Sequence, residues 1–159
     1  MATLSTTIIE EITLHGDKTR LVTSKLISTV NNLLKRTIAL PNNATTTIVA
    51  FDTAESTGDG SIDLEDTKYI RVTNLATSAV VLSLQIDNDE NATADAQTSI
   101  LLDAGKSFML GTIHDGIKTA DDGATATAAG SLGDLESIQI VTPNDSAVAW
   151  NLELLVAGA

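Results

Sequence analysis

Two stretches decide the fold: residues 80–86, VVLSLQI, and residues 147–156, AVAWNLELLV. In the first, Val80, Leu82, Leu84 and Ile86 take every second position, against Val81, Ser83 and Gln85. A strand sends successive side chains to opposite faces, so a period of two lets one face be buried while the other stays largely polar. The second stretch alternates similarly and carries Trp150, which is expected in the core; exposed, it would mark an interface. Residues 137–142, the turn Pro143-Asn144-Asp145 and residues 147–156 read together as a β-hairpin.

Working outward, the same pattern recurs. Residues 6–15, TTIIEEITLH, place Ile8, Ile12 and Leu14 against Thr or Glu, and Gly16-Asp17-Lys18 supplies a turn. Residues 45–51 form a β-branched run, and residues 69–73 alternate before Asn74 opens a turn. Residues 99–102 and 107–113 flank Asp103-Ala104-Gly105-Lys106 and read as a second hairpin. One segment breaks the pattern. Leu26, Ile27, Val30, Leu33 and Leu34 repeat at spacings of three and four, which predicts a short helix or irregular strand over 28–34, then a strand over 36–40. Residues 121–133 are rich in Gly, Ala and Thr and predict a long loop. Eight to ten short strands with regular turn signals make the chain all-β: an antiparallel β-sandwich or jelly roll with at most one short helix. The expected organisation is an N-terminal strand/helix segment, 1–40, serving as a docking arm, followed by a β-sandwich domain, 41–159.

Composition agrees. The 159 residues are 43% hydrophobic but only 3% aromatic, and about one residue in seven is Thr, a side chain suited to pleated sheets. No cysteine is present, which excludes disulfides, thiolate zinc sites and thiol catalysis. Nine Lys and Arg stand against 21 Asp and Glu, a net charge of -12. So acidic a chain repels phosphate backbones, which argues against nucleic-acid and anionic-membrane binding. No apolar run is long enough to span a bilayer as a helix, and the first seven residues lack the features of a signal peptide. Charge is unevenly placed: residues 1–79 sum to -2 and residues 80–159 to -10. Five of the nine cations, Lys18, Arg20, Lys25, Lys35 and Arg36, fall within nineteen positions.

Motifs of catalysis are weak. Residues 87–98 begin like a calcium loop, but Ala92 replaces the turn glycine and Thr98 stands where a bidentate Glu is needed. Gly58-Asp59-Gly60 lacks the third glycine and the Lys-Ser/Thr pair of a phosphate loop. His15 sits at a turn and His114 beside Asp115, neither in a metal-binding pair, and both read as surface residues. Asp63, Asp66 and their neighbours would need burial to act as a hydrolase pair, and they lie in a hydrophilic loop. Asn43, Asn91 and Asn144 open glycosylation sequons that are expected to stay unmodified in a protein made without a secretory leader. No catalytic, cofactor or metal residue is assigned, and the chain is expected not to be an enzyme. The candidate interface is Ile8, Ile12, Leu14, Lys18, Arg20, Lys25, Lys35 and Arg36.

Three stretches taken together carry a resemblance: LLKRTIALP at 33–41, TKYIRVTNLATSAVVLSLQI at 67–86 and LLDAGKSFML at 101–110. In this combination the chain resembles small virion structural proteins of tailed phages, of the marine or cyanobacterial type. The resemblance implies a capsid decoration, or cement, protein made in the host cytoplasm and bound to the outer head surface. Its implied partners are the major capsid protein and further copies of itself, a trimer matching local three-fold positions of the shell. The alternative role within the same family is a tail or tail-fibre protein that binds the host surface. It transfers no active-site residues.

Overall fold

The computed structural model describes residues 2–52, 62–87, 96–111 and 134–159. Eleven strands and no helix occupy them: β1 Ala2–Leu14, β2 Asp17–Val30, β3 Asn32–Ala39, β4 Thr45–Asp52, β5 Ile62–Asp63, β6 Thr67–Asn74, β7 Val80–Asp87, β8 Ala96–Leu102, β9 Ser107–Leu110, β10 Asp134–Val141 and β11 Asn151–Gly158. Two sheets face each other, one in the order β5-β4-β10-β7-β8 and the other β3-β11-β6-β9. Every pairing is antiparallel except the short β4–β5 pair. Strands β1 and β2 form a separate two-stranded sheet.

The alternation in the sequence accounts for the core. Val80, Leu82, Leu84 and Ile86 of β7 are buried, as are Ile138 and Ile140 of β10 in the same sheet. Leu152, Leu154 and Val156 of β11 and Ile70 and Val72 of β6 meet them from the opposite sheet, all in one hydrophobic cluster. Trp150 belongs to that cluster, and its indole Nε1 donates to Asn42 Oδ1 at 3.3 Å. In β4 the pairing passes from Val49 to Thr47, so Ile48 is an extra residue, and this bulge lets Ile48 and Val49 both be buried. Asn74 is fully buried and satisfied: its amide nitrogen donates to Ser78 O and Leu102 O, and its Oδ1 accepts from Ala76 N.

Two sequence expectations are corrected and one is narrowed. Of the two readings of residues 28–34, a short helix or an irregular strand, the structure has the irregular strand: β2 runs to Val30 and β3 starts at Asn32. Thr29, near the end of β2, lies in the left-handed region at φ 57°, where the pairing with β1 also slips. This break shifts the phase of the alternation, turning two period-two patterns into apparent spacings of three and four. The 99–113 hairpin does not form, because β8 pairs with β7 and β9 pairs with β6, in different sheets. The 137–156 hairpin fails likewise: β10 lies between β4 and β7, whereas β11 lies between β3 and β6. Both turns carry the chain across the sandwich. The acidic loop 88–95, the loop 121–133, Asp59, Asn91 and His114 lie outside the described residues.

Candidate docking surface

The 1–40 segment divides in two. Residues 32–39 are the edge strand β3 of the sandwich, paired along its length with β11. Residues 2–30 form the β1–β2 ribbon, in continuous register from Leu4↔Ile27 to Leu14↔Asp17. His15 and Gly16 close it with φ values of 52° and 90°. Two successive positive φ angles make the primed turn that matches strand twist, and Gly16 meets that need without steric cost.

Thirteen residues at about 3.4 Å each give the ribbon a length of about 44 Å. Its root is fixed by Leu4, Ile27 and Val30, which pack on Tyr69, Ala157 and Leu155 on the outer face of the four-stranded sheet. Lys68 adds to this attachment by donating from Nζ to Thr29 Oγ1 at 2.5 Å. Beyond the root the side chains are exposed, including Ile12 (59%), Leu14 (61%), Leu21 (57%) and Leu26 (68%).

Register sorts these side chains into two faces. Ile8, Ile12 and Leu14 share one face with Asp17, Thr19, Leu21, Thr23 and Lys25, their neighbours across the ribbon. Ile9, Glu11 and Thr13 share the other with Val22, Arg20 and Lys18. Lys18 Nζ approaches Glu11 Oε1 at 2.9 Å on this second face, and Thr7 and Ser24 hydroxyls meet at 3.2 Å. Both faces therefore carry exposed apolar groups, and among the described residues no further strand pairs with either outer edge. An isolated two-stranded ribbon is marginally stable in water, and such edges favour pairing with another chain.

The predicted interface residues thus fall in different places. Ile8, Ile12, Leu14 and Lys25 lie on one ribbon face, and Lys18 and Arg20 on the other. Lys35 and Arg36 belong to the sandwich. Lys35 Nζ stands 3.3 Å from Glu153 Oε2, and Arg71 Nη2 donates to Glu153 Oε1 at 2.5 Å. The hydrogen bond from Lys35, together with that from Arg71, holds the Glu153 carboxyl below its ordinary pKa against the opposing effect of desolvation. Arg36 donates to the Ile48 carbonyl of the facing sheet.

Between the ribbon root and β9, the free edge of the four-stranded sheet, lies a cleft of about 630 Å³. Ile8, Leu26, Tyr69 and Met109 line it, together with Lys25 and Lys68. Neither lysine makes an ion pair with a described carboxylate. Lys68, Tyr69 and Met109 had no signal in the sequence as site residues, because only tertiary packing brings β6 and β9 beneath the ribbon.

Asp63 caps a turn, its Oδ1 accepting from Glu65 N at 3.0 Å and Asp66 N at 3.3 Å. Among the described residues no three His, Asp or Glu converge as a metal site, and no helix is long and apolar enough to cross a membrane. Comparison with protein-family models, curated proteins and solved structures finds no match.

Proposed function

We propose that this chain is a non-enzymatic structural protein of a tailed-phage virion, a capsid decoration protein that binds the outer head surface and strengthens the shell. The observation that carries the docking part of this reading is the ribbon of residues 2–30, which exposes apolar side chains on two faces and, among the described residues, has no further strand paired with either edge. The virion assignment draws on the resemblance carried by residues 33–41, 67–86 and 101–110.

Charge supports the orientation. The ribbon of residues 2–30 carries three cations and three acids, a net of 0, whereas residues 31–159 carry six cations and eighteen acids, a net of -12. A ribbon without net charge meets no overall repulsion at an acidic partner such as the major capsid protein, while a body of -12 faces solvent and repels neighbouring particles. Repetition over a shell multiplies modest single-site affinity. Quantitative mass spectrometry and immunogold labelling of purified particles test the reading. Hundreds of copies over the head are expected; a few copies confined to the tail would replace this reading with the tail or tail-fibre role.

A further inference from the structure

We propose that two copies of this chain pair through the outer edges of their β2 strands, joining two ribbons into one four-stranded antiparallel sheet centred on Leu21. The proposal rests on the ribbon being a docking element, not on the virion assignment.

The exposed-edge residues of β2 on one face read Asp17, Thr19, Leu21, Thr23, Lys25. In an antiparallel pair related by a two-fold axis, directly opposed residues share a face, so the axis passes through one residue and its copy. With Leu21 on the axis, Asp17 opposes Lys25 of the second copy, Thr19 opposes Thr23, and Leu21 opposes itself. Both ends of the junction then carry opposite charges. On the other face Lys18 opposes Ser24 and Arg20 opposes Val22, with no like charges together.

Neighbouring registers lack this match. Centring on Arg20 sets Arg20 against its own copy, and centring on Thr19 sets Lys18 against Arg20. Centring on Val22 or Thr23 pairs no opposite charges. Pairing through β1 offers only Glu10 and Glu11, which have no cation to meet on that strand. Charge therefore selects one edge and one register.

The cleft agrees with this register. With Asp17 of the second copy opposite Lys25, its His15–Gly16 turn falls opposite Leu26 and Ile27, both lining the cleft. The Asp17 carboxylate thereby arrives beside Lys25, one of the cationic residues that line the cleft. Nine residue pairs from 17 to 25 span about 30 Å, and a four-stranded sheet is past the two-stranded limit of marginal stability. The two bodies sit at opposite ends of the junction, which separates their like charges. The β1 edges and the Ile12 and Leu14 side chains stay available to another surface.

Sedimentation of the full chain and its charge variants tests the pairing. The unmodified chain is expected to sediment as a dimer at micromolar concentration. Asp17→Lys and Lys25→Asp each set two like-charge pairs across the junction and should weaken the dimer about ten- to a hundred-fold. The double variant D17K/K25D should restore it. Because the chain has no cysteine, L21C should oxidise to a disulfide-linked dimer, whereas T13C, on the other strand, should stay unlinked. A monomer at 100 micromolar (about the upper range of such runs), a trimer, or a double variant no tighter than the singles would overturn the proposal. Such a failure leaves the head location of the protein to be judged by its own labelling experiment.

Discussion

Removing residues 1–26 should leave the sandwich folded. The main core cluster contains no residue of β1 or β2. The deletion keeps Ile27 and Val30, which close over Tyr69 and Ala157, and removes only Leu4 from that small second cluster. Leu4 is half-buried, so its loss should cost about 1–2 kcal/mol, within the range for partial burial of a leucine. For a domain of this size 1 kcal/mol shifts Tm by about 2–4 °C, giving a fall of about 2–8 °C. Thermal unfolding followed by Trp150 fluorescence is the assay, because Trp150 is 3% exposed and reports on the sandwich core. A single cooperative transition within that range is expected. Loss of the transition, or red-shifted emission before heating, would refute the separation of ribbon and core.

Asn74→Ala strands two carbonyls and one N–H in the interior, so chemical denaturation should show a loss of about 3 kcal/mol or more. Trp150→Ala opens a cavity in the main cluster and should cost about 3–5 kcal/mol by the same measurement. Gly16→Val forces a β-branched residue to φ 90°; NMR should show fraying of the ribbon tip with the sandwich signals unmoved. The Glu153 carboxyl has a folded pKa below its ordinary 4.5, so its ionised form contributes stability that is complete above 4.5 and is lost as pH falls through the lowered value. Stability measured from pH 6 downward should therefore decline in that window for the native chain, and Glu153→Gln should remove that part of the decline.

How much was legible depends on the range of each interaction. Alternation at 80–86 and 69–73 is local: it placed Val80, Leu82, Leu84 and Ile86 correctly in the interior, and it marked 69–73 as a strand, which is β6. Partner choice is not local. The turns at 103–106 and 143–145 look like hairpin turns, yet the strands flanking each are recruited by different sheets. The stripe at 26–34 left a helix and an irregular strand both open, because one left-handed residue, Thr29, offsets two strand patterns. Of the candidate interface, the apolar residues Ile8, Ile12 and Leu14 are indeed exposed on one ribbon face. A run of cations in sequence, however, carries no record of which face each occupies. Lys18 and Arg20 stand on the ribbon, whereas Lys35 meets Glu153 on the outer face of the four-stranded sheet and Arg36 donates to the Ile48 carbonyl of the facing sheet.

Hydrogen exchange of the backbone amides, measured on the free protein and on the protein bound to particles, tests the role of the ribbon most directly. A docking arm gains protection at residues 5–14 on binding, because its exposed edge and the Ile8, Ile12 and Leu14 face become covered, while β7 and β10 exchange as before. Unchanged exchange across the ribbon, with new protection confined to the sandwich, would contradict the account.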